Sequence, residues 1–451
     1  MPTDRYGNAL TTDSAAAADA YIVATDAFIS ANFGALSAVD EAVAADPDFA
    51  LGHVLRARVL QFAERPSDAK ASMEAAHAAR SRRSVSAREV SHISVYDALI
   101  AGRGAEARKR IMAHAADHPR DALVVQPATG VFGLIGFSGC DGREAEQLAF
   151  VRGLETAYGD DWWFLGQLAF AEAECGAIDR SVATIDRSLE GNPRNANAAH
   201  IKSHIHYELG ECAAGRSYLD AWAAPYDRRA TLFCHVNWHR ALWALEQGET
   251  QAAWAIMDDA VLPGCSPSPS INVLTDSASF LFRAEIAGEP RRDDLWRQLA
   301  EYAAARFPSV GVVFADFHAA LVYAMSGETA RLEKLTRTCC GPTADVVRLC
   351  AAGFEAFAQE RFADAARAFA PVLSRHETLG GSRAQRDLLE FAYAAALLRM
   401  GAADEAARAL TLRRPRLFAD RPDAFQGRLA PPQAAPVGHA SQLNERGPGI
   451  G

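Results

Sequence analysis

The chain has 451 residues, of which 49% are hydrophobic and 23% are charged, a composition typical of soluble folded proteins. Its formal net charge is −10, and Lys and Arg are dispersed, which disfavours nucleic acid and anionic membranes as partners. No segment approaches the ~20 apolar residues of a membrane span, and residues 1–25 lack a signal-peptide pattern. We therefore expect a cytoplasmic protein with no membrane partner and no nucleic-acid partner. Eight scattered cysteines without a C-x-x-C pair indicate reduced, mostly buried thiols.

Glycine-containing corners recur along the chain after segments with a helical pattern. The successive intervals are 37, 37, 34, 38, 40, 39 and then 74 residues. A period of this length indicates a helical solenoid, because each hairpin needs a residue that tolerates left-handed backbone at its turn. The pattern predicts an all-α, right-handed superhelical solenoid of about ten helical hairpins over residues 1–421. The corner glycines are Gly102, Gly139, Gly176, Gly210, Gly248, Gly288, Gly327 and Gly401.

The clearest repeat runs from Trp162 to Asn195. It predicts a first helix over Trp162–Glu174, a corner at Gly176, and a second helix over Ile178–Glu190 that ends before Pro193. These offsets resemble those of the tetratricopeptide repeat. The corner near Glu360 departs from the pattern because it has no glycine.

An ordered set of short segments is similar to the tetratricopeptide repeat protein 38 family. The resemblance extends from roughly Asp13 to Arg413. It implies an all-helical solenoid and says little about chemistry. The segments, in chain order, are Asp46–His53, His200–His206, Cys234–Leu242, Asp276–Ser277, Asp316–His318 and Gly380–Asp387.

Two pairs of histidines stand out in the central third of the chain. His200 and His204 are four residues apart, as are His235 and His239, so each pair lies on one face of its helix. The pairs are offset by 35 residues, which is close to one repeat. Because equivalent positions of stacked units are neighbours, we expect the four imidazoles to converge on the inner face of the superhelix. His318 falls at the position equivalent to His239.

Three hypotheses account for these histidines. In the first, His200, His204, His235 and His239 bind a divalent transition metal, with Asp276, Asp316 or Glu208 as further ligands or as supporting carboxylates. In the second, the histidines bind a polar small molecule and act as acid or base, with His204, His239 and His318 as the catalytic candidates. In the third, they are groove residues that hydrogen-bond to backbone or water. No H-E-x-x-H motif supports a zinc hydrolase.

Further candidate ligand-binding residues flank the histidines. Tyr207 and Glu208 share the predicted inner face, and Arg383 and Arg386 follow the turn Gly380–Gly381–Ser382 at the start of a helix-like segment, Ala384–Leu398. Free amides at a helix start together with two arginines suit a carboxylate or phosphate. The alternative is an ordinary capped helix in which Arg386 is salt-bridged inside the solenoid.

These patterns leave the function open between two main classes, of which we expect the first; a third, a pure assembly scaffold, would need exposed apolar patches at the ends of the solenoid. The first is a repeat protein that binds a partner peptide or a small polar ligand in its concave groove. The second is an enzyme, hydrolase-like or lyase-like, with a metal or acid–base site among the central histidines. Residues 422–451 are rich in Pro and Gly and are expected to be a disordered tail.

Overall fold

In the computed structural model, residues 1–414 are described, and they contain α-helices but no β-strand. The predicted all-α class is confirmed, and eleven successive helix pairs follow one another, with the short α9 between the fourth and fifth pairs. The expected tail, residues 422–451, lies outside the described residues. The helices are α1 (Ala15–Ile29), α2 (Ala35–Ala45), α3 (Ala50–Phe62), α4 (Pro66–Arg82), α5 (Ala87–Ile100), α6 (Gly104–Asp117), α7 (Ala122–Thr129), α8 (Arg143–Gly153), α9 (Glu155–Tyr158), α10 (Trp162–Glu174), α11 (Ile178–Gly191), α12 (Ala196–Leu209), α13 (Cys212–Ala223), α14 (Phe233–Glu246), α15 (Thr250–Ile256), α16 (Ser270–Ile286), α17 (Asp293–Arg306), α18 (Val313–Ser326), α19 (Thr329–Thr338), α20 (Ala344–Ala358), α21 (Phe362–Leu373), α22 (Arg383–Arg399) and α23 (Ala403–Arg413).

Left-handed glycines close most of the hairpins, as the sequence predicts. All eight corner glycines have φ between +70° and +96°. The corner between α20 and α21, which has no glycine, instead places Glu360 itself at φ +57°. The same geometry therefore recurs where the sequence supplies a residue that adopts it at a cost.

The corner predicted at Gly139 is wrong, because a loop over residues 130–142 separates α7 from α8. Pro127 lies inside α7, has no N–H to donate, and the helix ends two residues later at Thr129. The loop then folds back, and the Leu134 N–H donates to the carbonyl of Pro127 at 2.7 Å. This excursion carries Phe132 and Phe137 to the inner face, where their rings stack with centroids 5.0 Å apart.

The superhelix is wound tightly enough for its first hairpins to reach helices far along the chain. Ser30 O accepts from the Ala196 N–H at 2.9 Å, and Ala31 O accepts from the Tyr226 hydroxyl at 2.6 Å. Glu64, at the corner between α3 and α4, accepts from both the backbone N–H and the hydroxyl of Ser270 at 2.6 Å. These contacts bring the first two helix pairs against α12, α13 and the start of α16.

Helix α22 crosses the inner face and packs against α12 and α16 as well as its chain neighbours. Four of its charged residues, Arg383, Arg386, Asp387 and Glu390, belong to a largely buried network of ion pairs. We call this set the ion network. Its members are Glu144, Glu174, Glu208, Arg283, Arg383, Arg386, Asp387, Glu390, Arg413 and Arg414.

Two further sequence expectations can be compared with the structure. All eight cysteines are free thiols, but only Cys234, Cys339 and Cys350 are buried, so the expectation of mostly buried thiols is wrong. No helix of residues 1–414 combines the length and the apolar character that crossing a bilayer requires.

Candidate functional site

The two histidine pairs meet between neighbouring helices. His200 and His204 lie on α12, His235 and His239 lie on α14, and one nitrogen of each imidazole falls within 4.8 Å of the others. Facing rings are close, with centroids 4.6 Å apart for His200 and His235 and for His204 and His239. Unit stacking thus brings together side chains that are 35 residues apart. We call these four residues the histidine cluster.

Neighbouring side chains orient the histidine cluster. His235 Nδ1 donates to Asp276 Oδ2 at 2.8 Å, which leaves Nε2 of that ring as the nitrogen available to the cluster. The ring also stacks on Trp238, with centroids 5.1 Å apart and planes 15° from parallel. Phe170 packs against His204 from α10. The imidazoles are therefore held on two sides by aromatic rings and anchored by one carboxylate.

All four imidazoles are buried, and burial determines the protonation of three of them. Desolvation, followed by repulsion from neighbouring positive groups, lowers the pKa of His200, His204 and His239 well below that of a free histidine. These rings are neutral at physiological pH. A neutral imidazole offers a lone pair, which is the form that ligates a metal.

The donor set fits a transition-metal ion. Zn–N bonds of about 2.0–2.1 Å imply N···N separations of about 3.3–3.4 Å in a tetrahedral site. His200 Nε2 and His204 Nε2 are 2.6 Å apart. Binding a tetrahedral metal ion would therefore require these two nitrogens to move apart by about 0.7–0.8 Å. His239 Nε2 is buried and has no hydrogen-bond partner among residues 1–414. A buried nitrogen without a partner is rare in folded proteins, and a metal ion would satisfy it.

A cavity of about 390 Å³ adjoins the histidine cluster. His200 and His235 form part of its wall. The remainder comes from α1, α3, the end of α7, the loop over residues 130–142, α10, α12, the segment before α14 and the starts of α16 and α22. Its volume lies in the range of sites for small organic ligands. Most of the wall is apolar, and its aromatic members are Phe28, Phe62, Phe132, Phe137, Trp163 and Phe170.

Three of the predicted ligand-binding residues, Glu208, Arg383 and Arg386, belong to the ion network, and Tyr207 bonds to it; none of the four lies in the cavity wall. Tyr207 donates from its hydroxyl to Asp387, and Glu208 pairs with Arg383 and Arg414. Arg386 pairs with Glu144 and with Glu174. The structure therefore places these side chains against α22 and makes them part of the packing of that helix.

The predicted anion site at the start of α22 is filled by the chain itself. Ser382 caps the helix, with its hydroxyl accepting from the Gln385 N–H. The carboxylate of Glu174 accepts from the Arg383 N–H at 3.0 and 3.1 Å. A carboxylate does occupy the helix start, as the residue types indicated, but it is an internal one.

His318 and Asp316 are separate from the histidine cluster. His318 Nδ1 donates to the carbonyl of Phe314 at 2.8 Å, and burial lowers its pKa to about 4. Asp316 accepts from the Gly311 N–H at 3.0 Å, and burial raises its pKa to about 6. Of the three carboxylates named as metal partners, only Asp276 touches the cluster. His206 lies on the same helix outside the cluster, and its Nδ1 donates a hydrogen bond to the carboxylate of Glu211 at 2.8 Å.

Sequence reasoning missed the far wall of the cavity. Arg58 and Glu64 are its only charged residues among those described, and both come from the second helix pair. Nothing in the local sequence marks them, because they reach the cavity through the winding of the whole superhelix. The amides that line the wall, such as Gln126 and Asn272, carry no motif either.

No family model matches the chain. Two solved structures are similar to it over most of its length. A monomeric mutant of IFIT1 with Gppp-AAAA matches with a TM-score of 0.41 and 14% identity, over 84% of this chain and 90% of that one. The structure of Naa15/Naa10 bound to HypK-THB matches with a TM-score of 0.26 and 13% identity, over 88% of this chain and 68% of that one. The assignment as a helical-repeat solenoid rests on the pairing of the helices described above.

Proposed function

We propose that this protein holds a divalent transition metal in the histidine cluster and binds a small organic ligand in the cavity beside it, as a metal-dependent enzyme does. The single observation that carries the proposal is the meeting of four buried imidazoles at the wall of a cavity. Buried histidines are costly to leave unsatisfied, and the unpartnered nitrogen of His239 favours the metal over a purely hydrogen-bonded cluster.

The shape of the inner face favours a small ligand over a peptide. A peptide-binding solenoid needs a long open groove, whereas here α22 fills one side of the inner face and the first helix pairs close on α12 and α13. The remaining cavity suits a molecule of metabolite size. Its polar groups then lie against the amides and charged residues of the wall.

The chemistry available at such a centre follows from the charge of its ligands. Four neutral imidazoles leave the full double positive charge on a bound divalent ion, and such an ion polarises a carbonyl or a water that reaches it. Asp276 holds His235 in place from outside the cluster. The ligand would approach from the cavity, past His200 and His235.

Metal analysis of the untagged full-length protein tests the proposal. We expect close to one transition-metal ion per chain after growth in metal-replete medium, and loss of that ion in the double variant His204→Ala, His235→Ala. The matched control is His53→Ala, His77→Ala, which removes one half-buried and one exposed histidine outside the cluster and keeps the metal. Circular dichroism checks that both variants are folded.

Protein that contains no metal, and that takes up no Zn²⁺, Co²⁺, Ni²⁺, Fe²⁺ or Cu²⁺ stoichiometrically when titrated, contradicts the metal site. In that case His235, which lies in the cavity wall and bonds to Asp276, favours the second candidate, a metal-free acid–base site.

Membership of the tetratricopeptide repeat protein 38 family, a cytoplasmic location, and the absence of nucleic-acid and membrane partners remain predictions. They are supported by the ordered motifs and by the dispersed charge of an acidic chain.

A further inference from the structure

Arg58 is a buried arginine without a carboxylate partner. Its side chain lies in the cavity wall and is 9% exposed, and no Asp or Glu of residues 1–414 comes within ion-pair distance of it. Its guanidinium donates to the side-chain oxygens of Gln61 at 2.6 Å and Gln126 at 3.3 Å, both neutral amides. Its Nε is buried and has no acceptor among the described residues.

An arrangement of this kind is costly unless a counter-ion is present. Buried arginines are normally paired, because a charge removed from water needs an opposite charge close by. Burial without such a charge lowers the pKa of the Arg58 guanidinium. The other buried arginines of the inner face differ in this respect, since Arg283, Arg386 and Arg414 all pair with carboxylates.

The other charged residue of the wall does not supply the missing partner. Both carboxylate oxygens of Glu64 accept from Ser270 at the start of α16. The guanidinium of Arg58 is instead stacked on Phe62, with its carbon 4.6 Å from the ring centroid. Among residues 1–414, the cavity wall therefore presents one unpaired cation, and the wall is otherwise mostly aromatic and aliphatic.

On the basis of the proposed ligand site, we propose that the ligand is an organic acid. Its carboxylate pairs with Arg58, and its apolar body packs against the phenylalanines of the cavity. The planar guanidinium matches a carboxylate through paired N–H donors. A single cation balances a single negative charge. A phosphate monoester, which carries about −1.5 to −2 charges at neutral pH, would exceed the charge that Arg58 alone balances.

The test compares acids with uncharged molecules of the same shape. Isothermal titration calorimetry and thermal-shift measurements on the full-length chain use 4-phenylbutyrate and octanoate, with 4-phenylbutyramide and octanamide as the neutral matches and phenyl phosphate as the dianion. We expect at least one acid to bind at least tenfold more tightly than its amide and than phenyl phosphate. In Arg58→Gln, the acid should lose tenfold or more in affinity while the amide changes little.

A matched control lies two residues away on the same helix. Arg56 pairs with Asp40 and is outside the cavity wall, so Arg56→Gln should bind the acid as the native protein does. Circular dichroism and the Tm of the ligand-free variants establish that they are folded. No binding by either acid, equal binding of acid and amide, or unchanged binding in Arg58→Gln overturns the proposal.

Parallel titrations of metal-stripped and metal-loaded protein separate this inference from the proposed function. Selective acid binding in a protein that never takes up metal leaves the Arg58 site standing and removes the metal centre. A protein that holds its metal, and binds acid and amide equally, keeps the metal and cavity but loses the assignment of the ligand as an acid.

Discussion

Asp276 decides which nitrogen of His235 faces the other three imidazoles. The hydrogen bond from Nδ1 fixes the ring, and burial of the carboxylate at 1% exposure prevents water from replacing it. The same carboxylate oxygen lies 3.9 Å from the sulfur of Cys234. Burial, and then this negative neighbour, raise the pKa of the Cys234 thiol, so the cysteine is an inert packing residue and His235 is the group that Asp276 serves.

Asp316 gives a pH-dependent prediction at the same scale. Its folded-state pKa of about 6 lies above the unfolded value near 3.8, so the folded chain keeps the proton while the unfolded chain releases it. The contribution of Asp316 to the free energy of unfolding therefore falls as the pH rises from about 4 to about 6, and it is constant above that. Asp316→Asn avoids this loss and should gain about 1–3 kcal/mol at pH 7–8 and almost nothing below pH 4.

Urea denaturation of Asp316→Asn and the native chain across pH 4–8 measures that difference. The control is Asp345→Asn, because that carboxylate is exposed, is paired with Arg375, and has a pKa below its usual value. Its removal should change stability with the opposite sign. A constant difference between native chain and Asp316→Asn over the whole pH range is incompatible with the raised pKa.

At the scale of helices, hairpin corners are the elements that the sequence determines best. Helix α10 has the predicted bounds, α11 ends one residue later than expected, and α22 extends the expected segment by one residue at each end. Corner glycines, cap residues and apolar periodicity are local signals, so they can be read without knowing the neighbours. The loop over residues 130–142 could not be predicted, because its return depends on backbone contacts with Pro127 and on rings packed from other units.

The corner at Glu360 yields a stability prediction for one hairpin. A non-glycine residue in left-handed backbone costs about 1–2 kcal/mol, and glycine gives back about 0.5–1 kcal/mol through unfolded-chain entropy. Glu360→Gly should therefore stabilise the α20–α21 hairpin by about 0.5–1 kcal/mol. Hydrogen exchange of the amides in these two helices measures the gain.

The reverse substitution serves as the control. Gly401 occupies the equivalent corner between α22 and α23 at φ +81°, so Gly401→Ala should weaken the exchange protection of that hairpin. Faster exchange in α20 and α21 of Glu360→Gly would mean that the Glu360 side chain contributes more than its backbone strain costs.

On the scale of the whole molecule, the contacts between the first helix pairs and helices far along the chain could not be predicted from the sequence. The histidine cluster was predictable because its two pairs occupy neighbouring units. Arg58 and the pairing of Glu174 with α22 were not, because they join units far apart along the chain. Each unit is rotated slightly relative to the one before it, and these rotations accumulate along the superhelix. No local sequence pattern gives the total rotation, which decides which distant units meet.

The hydroxyl of Tyr226 tests the closure. Tyr226→Phe leaves the carbonyl of Ala31 without its donor, which should cost about 1 kcal/mol or more and lower amide protection in α1 and α2 about fivefold. Helices α18 to α21 should keep their protection. The control is Tyr218→Phe, since the Tyr218 hydroxyl has no partner among the described residues. Equal protection in α1 for both variants would show that the first helix pair docks independently of this bond.

The same closure has a consequence for biosynthesis. In a simple repeat array each unit docks on the one before it, so assembly can keep pace with the ribosome. Here the carbonyls of Ile29 and Ala31 accept from donors that lie 168 and 195 residues downstream, in Asn197 and Tyr226. Until residue 226 has been translated, the first hairpin lacks at least one of these two donors. The cavity beside the histidine cluster is therefore complete only after this part of the chain has been synthesised. We expect a metal or an organic acid to bind after that stage.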